Sequence, residues 1–147
     1  MLSLQEISDR LEIQQLAVDY STAIDRRDFE ALDRVFSPDA YIDYRAMGGI
    51  DGAFAEVKAW LVGALGFFPA YQHMIANHAI TLQGDEATGR IICFNPMVMP
   101  QPDGTQQTFF LGLWYLDEYR RTPEGWRIVR RSEEKSWTSN VPASLAV

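Results

Sequence analysis

Tyr71-Gln72-His73-Met74-Ile75-Ala76-Asn77-His78-Ala79-Ile80 is where this 147-residue chain changes its period. Upstream, apolar residues recur at helical spacing. From here onward they alternate, as they do in strands with one buried face. The alternation runs through segments at about 71–83, 87–99, 106–120 and 125–138. Gly84-Asp85, Pro102-Asp103-Gly104 and Pro123-Glu124-Gly125 punctuate them as turns. Short turns between successive strands predict an antiparallel meander, and such a sheet must twist.

Three helices are expected before the meander. Ser3 with Glu6 three residues on forms a capping-box signature. Leu4, Ile7, Leu11, Leu16, Tyr20 and Ile24 then give a buried stripe ending near Asp25–Arg27. Asp28 caps a second helix whose inner face is Phe29, Leu32, Val35 and Phe36, and Ser37-Pro38-Asp39 stops it. Ala40 to Tyr44 reads as a short strand with Ala40, Ile42 and Tyr44 on one face. Asp51 caps a third helix carrying Phe54, Val57, Trp60, Leu61 and Leu65. Helices followed by strands predict an α+β fold, with a strongly curved sheet and three helices enclosing a conical pocket. No linker or repeat divides residues 1–147, so one domain is expected.

Composition narrows the function classes. A formal charge of -7 and a pI near 4.7 argue against nucleic acid or an anionic membrane as partner. Cys93 is the only cysteine, which excludes an internal disulfide and fits a reducing cytoplasm. Its expected place is the core. No segment has the apolar length of a membrane helix, and the first residues lack a signal-peptide pattern. Two histidines leave little material for a metal site, and no glycine-rich phosphate loop occurs.

A few polar residues stand out. In the quoted strand His73 shares a face with Tyr71, Ile75 and Asn77, while His78 falls on the other face. Both imidazoles can turn inward only if a bulge intervenes. Asp25 sits at the negative end of the first helix, where a carboxylate needs a positive or donor partner. Asp25 either finds such a partner inside or pairs at the surface. Tyr20, a little over one turn earlier, points near the buried face. Asn95, in Cys93-Phe94-Asn95-Pro96-Met97, either bonds neighbouring backbone at a break or offers its amide to the pocket, and Pro96 suggests a break in pairing. Arg127, Arg130 and Arg131, followed by Glu133 and Glu134, read as a solvated or interface face.

These pieces together resemble a known family. They are Tyr20-x4-Asp25, Phe36-Ser37-Pro38-Asp39-Ala40, a strand with Tyr41 and Tyr44, and Gln72-His73-Met74-Ile75. Gly112-x-Trp114-Tyr115 and Arg121-Thr122-Pro123-x-Gly125-Trp126-Arg127-Ile128 complete the pattern. The pattern resembles the SnoaL-like branch of the nuclear-transport-factor-2-like superfamily, near scytalone dehydratase and the bile-acid 7α-dehydratases. The resemblance implies a cofactor-independent lyase or isomerase for a small, apolar, ring-containing carbonyl or hydroxy compound. It implies His73 and Asp25 as the catalytic pair, with Tyr44, Tyr20 and Asn95 binding substrate and no metal. The second histidine of scytalone dehydratase has no counterpart in Asn95-Pro96-Met97-Val98, which puts scytalone itself in doubt. A noncatalytic binding or assembly protein on the same scaffold is the alternative. The sheet face left uncovered by helices predicts a homo-oligomer, a dimer or, as in relatives, a trimer.

Overall fold

Ser3 starts the first helix as its sequence predicts. In the computed structural model, which describes residues 1–147, its hydroxyl accepts from the Glu6 N–H, and the Glu6 carboxylate accepts from the Ser3 N–H. Helix α1 spans Leu4–Asp25. Its inner face differs from the expected stripe in the first half. Asp9, Ile13, Leu16, Ala17, Tyr20, Ala23 and Ile24 are buried, whereas Leu4, Ile7 and Leu11 point outward. The reason is Asp9. Its carboxylate accepts from Arg121 at 2.6 and 2.8 Å, from the Trp126 indole at 3.0 Å and from Gln5 at 2.9 Å. These bonds roll the helix so that the Asp9 side faces the sheet.

Asp28 caps the second helix, accepting from the Ala31 N–H at 3.3 Å. That helix is only a six-residue 3-10 turn, Phe29–Arg34. Strand β1, Phe36–Asp43, begins where the helix was expected to end, so Ser37-Pro38-Asp39 lies inside a strand. Pairing overrides the local stop signal: Phe36 stands opposite Ile128. β2 covers Asp51–Ala53 and α2 covers Phe54–Ala64. Asp51 does not cap α2. It accepts from the Tyr41 hydroxyl on β1, while the Glu56 carboxylate takes the Ala53 N–H at 3.3 Å.

The remaining strands are β3 (Ala70–Tyr71), β4 (Met74–Gln83), β5 (Glu86–Pro100), β6 (Gln106–Thr122) and β7 (Gly125–Ser139). β4 to β7 form the expected antiparallel meander. Gly84, at φ +67°, sits in the tight turn between β4 and β5, where a left-handed residue is needed. The sheet order is β2-β1-β7-β6-β5, with β3 and β4 both on the outer edge of β5. One pairing departs from the meander: β1 runs parallel to β7. It brings the helical half of the chain against the last strand.

Bulges bend the sheet. Register shifts occur between β4 and β5 at Ala76–Ala79 and twice between β6 and β7. Each inserted residue adds local twist, so the sheet curls into an open cone. α1 packs on β4 and β7, and α2 packs on β1, covering the concave side. Ile13, Phe36, Ile91, Phe109, Trp126 and Ile128 fill the core there. No helix is long and apolar enough to cross a membrane.

Candidate functional site

Pairing on the outer edge of β5 breaks between β3 and β4, and that break holds His73. β3 ends at Tyr71 and β4 starts at Met74, leaving Gln72-His73 outside regular pairing. Pro96 does not interrupt its own strand, since it pairs with Phe110 in the continuous β5. The break lies on the neighbouring strand. Asn95 bridges it: its amide donates to the Gln72 carbonyl at 2.9 Å. The Gln72 N–H donates to the Pro96 carbonyl at 3.1 Å.

The freed segment folds onto the end of α1. The Asp25 carboxylate accepts from the His73 backbone N–H at 3.0 and 3.1 Å and meets His73 Nδ1 at 2.7 Å. These donors answer the unfavourable helix dipole at Asp25. They also set the tautomer. With Nδ1–H donating to Asp25, Nε2 is the nitrogen left for a ligand. The ring is nearly closed off, with 8% of the side chain exposed. It stands edge-on to Tyr20 and Tyr71, with centroids 6.4 and 5.9 Å away. Tyr71 anchors the corner by donating to the Ile24 carbonyl at 2.9 Å.

His73 opens onto a cavity of about 720 Å³, a size that suits a small organic molecule. Ile24, Trp60, Leu61, Leu65, Phe68, Met97, Met99, Phe109, Leu111 and Leu113 are among the apolar residues of its wall. Leu145 to Val147 also line it. His73, Tyr20, Tyr44 and Asn95 all line it, so the structure brings these four expected residues together. Asp25 stands behind His73 and does not itself line the cavity.

Tyr20 and Tyr44 share a hydrogen bond of 2.8 Å between their hydroxyls. Burial pushes the Tyr20 phenol up to about 12, against the pull of Arg131 and of the Tyr44 bond. Burial also raises Tyr44 well above the ordinary tyrosine range. Both phenols stay protonated at neutral pH, and the pair keeps one O–H free for another acceptor. Cys93 is wholly buried, and burial pushes its thiol up to about 12, so it remains protonated too.

The charged cluster on β7 is only partly a solvated face: Arg130 and Glu134 are exposed, but Arg131 and Glu133 turn inward. Arg131 is fully buried and donates twice to Asp117, at 2.7 Å each. Its guanidinium lies over the rings of Tyr20 and Tyr115, at 4.3 and 4.0 Å from their centroids. Glu133, two residues on, lines the cavity. An extra residue near Val129 changes the phase of β7, so that Trp126 and Ile128, then Arg131 and Glu133, all turn inward. Strict alternation from Trp126 points to Glu134 instead. A bulge also intervenes in β4, where Asn77 has φ +51°. It leaves His78 half-buried with Nε2 unpartnered, but His78 does not reach the cavity.

A SnoaL-like domain family model matches residues 5–132. The chain belongs to the SnoaL-like family. An uncharacterized protein of Mycobacterium tuberculosis, Rv2910c, is 62% identical over 135 residues, covering 92% of this SnoaL-like chain and 90% of the relative. Among solved structures, a candidate scytalone dehydratase of Novosphingobium aromaticivorans superposes with a TM-score of 0.81 at 20% identity, over 95% of this chain and 92% of that one. The hexachlorocyclohexane dehydrochlorinase LinA-type3 of Novosphingobium barchaimii gives 0.79 at 18% identity, over 98% and 97%. At these identities the two structures show a shared fold alone.

Proposed function

We propose that this SnoaL-like protein is a cofactor-independent lyase or isomerase acting on a small, apolar, ring-containing carbonyl or hydroxy compound. The observation that carries the reading is the 2.7 Å contact of His73 Nδ1 with Asp25, in a ring whose other nitrogen is left for an apolar cavity. Such a pair is a general base held in one tautomer, and the carboxylate stabilises the imidazolium that forms. In the proposed step Nε2 takes the proton from the carbon next to a carbonyl. The electron pair forms the new double bond as the hydroxyl leaves, and Nε2–H returns its proton to that hydroxyl, releasing water. Isomerisation uses the same first half and returns the proton to another carbon.

The free phenol proton of the Tyr20–Tyr44 pair is suited to the oxygen on which charge develops. Asn95 has one amide proton committed to Gln72, so its larger contribution is to hold the His73 segment in place. The two structural neighbours are named for eliminations, one of water and one of hydrogen chloride. Both reactions pair removal of a proton with loss of a leaving group, and this agrees with the proposed chemistry.

The test begins with a thermal-shift screen of hydroxy-ketones, steroids and aromatic alcohols, followed by mass analysis of each hit. A shift with loss of water, or with conversion to an isomer, supports the enzyme. Tight binding without conversion, equal in His73→Ala, replaces it with the noncatalytic binder.

A further inference from the structure

Glu133 stands in the cavity wall on β7 with no cation paired to its carboxyl. Its Oε2 is sealed from water and has no hydrogen-bond partner. Oε1 is not sealed in this way, and Glu133 lines the cavity. The nearest cation, Arg131 on the same strand, is committed to Asp117 of β6 through two bonds of 2.7 Å. Asp43, at the end of β1, adds a charge of like sign. The Met47 N–H favours the ionised form but is already bonded to the Tyr44 carbonyl at 3.2 Å. Tyr20 from α1, Tyr44 after β1, Cys93 from β5 and Tyr115 from β6 complete the surroundings and are all neutral. His73, with Asp25 behind it, belongs to the same cavity.

We propose that Glu133 is a ligand-binding residue that acts as a neutral carboxylic acid, donating a hydrogen bond from Oε1 to a carbonyl or hydroxyl oxygen of the molecule in the cavity. A proton on Oε1 aims the donor at the open space. It leaves the sealed Oε2 as an uncharged carbonyl oxygen, which is far cheaper to bury unpaired than a carboxylate oxygen. Burial raises the Glu133 carboxyl to about 8, with Asp43 adding to the rise and Arg131 and the Met47 N–H opposing it. A carboxyl held neutral in this way is a strong donor at neutral pH. The ligand class is then a neutral, largely apolar compound bearing an oxygen acceptor. This assignment rests on the cavity being the ligand site, and not on turnover by His73 and Asp25.

The test compares two probes of one shape, 2-tetralone and its oxygen-free counterpart tetralin, by calorimetric titration. At about pH 7 the wild-type protein should bind the ketone about tenfold more tightly, the worth of one such hydrogen bond. Glu133→Gln keeps an N–H donor and should keep the preference. Glu133→Leu should bind both probes alike. Raising the pH through about 8 should weaken ketone binding in the wild type and leave Glu133→Gln unaffected. Binding is read here without turnover, so a failed acid–base mechanism and a failed Glu133 assignment give different results. In the ligand-free wild type, carbon NMR of the glutamate carboxyls should show one group titrating near 8 that Glu133→Gln lacks. Retained ketone preference in Glu133→Leu, a pH effect that persists in Glu133→Gln, or a Glu133 carboxyl titrating near the ordinary ~4.3 overturns the proposal.

Discussion

At the scale of single residues, the contact between His73 and Asp25 makes the sharpest demand. Asp25→Asn keeps the shape but replaces one acceptor oxygen with an NH2 donor, so Nδ1–H loses its fixed partner and the tautomer is no longer enforced. Turnover in His73→Ala and Asp25→Asn is expected to fall by about 10²- to 10⁴-fold, with the folded state intact by circular dichroism. Glu133 makes a second demand, on stability. Its folded-state pKa lies above its unfolded value, so the folded protein holds a proton that the unfolded chain releases. The Glu133 contribution is therefore complete below about pH 4.5 and declines as the pH rises to about 8. Relative to Glu133→Gln, the wild type should lose up to a few kcal/mol across that window, read from urea midpoints at a series of pH values. Parallel curves would show that the carboxyl ionises normally.

At the scale of elements, two devices fix where the site residues point. The first is the Asp9 anchor of α1. Arg121, with Trp126 and Gln5, holds the Asp9 carboxyl well below the usual carboxylate range, against the opposing effect of its burial. A depressed folded pKa adds stability above the unfolded value of ~3.9 and loses it as the pH falls through the folded one. Asp9→Asn should cost about 2–4 kcal/mol at neutral pH and flatten the acid limb of the stability curve below about pH 4. The second device is the β4 bulge. Asn77, at φ +51°, tolerates the left-handed region better than most residues. Asn77→Gly should be neutral or stabilising and Asn77→Val should lose about 1–2 kcal/mol, compared by thermal denaturation.

The same devices explain what the sequence discloses and what it hides. Period and turn residues place β4 to β7 within a few residues, because alternation and the Gly84 turn are local facts. Tyr20 and Asp25 are legible because the helix stripe and the helix end are local as well, while Tyr44 and His73 lie just outside the strands on which the alternation places them. The Gln72-His73 break reads onto the wrong strand, since Pro96 marks it only through the partner across the ladder. Arg131 and Glu133 are misread for one reason: an inserted residue near Val129 inverts the alternation, and no residue type signals it. The outward turn of Leu4, Ile7 and Leu11 is hidden because a carboxylate, Asp9, takes the inner face through partners more than a hundred residues away.

At the scale of the whole molecule, the convex side of the sheet carries an aromatic patch. Phe94 stacks on Phe110 with centroids 5.9 Å apart, Trp137 leans on Phe94 at 5.8 Å, and Arg90 covers Trp114 at 4.0 Å. Trp137 is still 47% exposed. We propose that a second copy of the chain covers this face. Light scattering should then show a dimer or trimer that Trp137→Arg dissociates. Leu11→Lys, on the outward side of α1, should leave the assembly intact. A monomeric wild type would remove the proposal.

The parallel seam between β1 and β7 has a consequence for how the chain is made. β1 is complete at residue 43, yet its principal mate begins at residue 125. On a ribosome adding about 5–20 residues per second, that strand waits roughly 4–16 seconds with one edge open. The nascent chain therefore carries a half-paired strand through most of its synthesis, and the cone shuts only when the last strand emerges. Such a window is where a holdase would engage this protein, and where a stalled or truncated product would aggregate first.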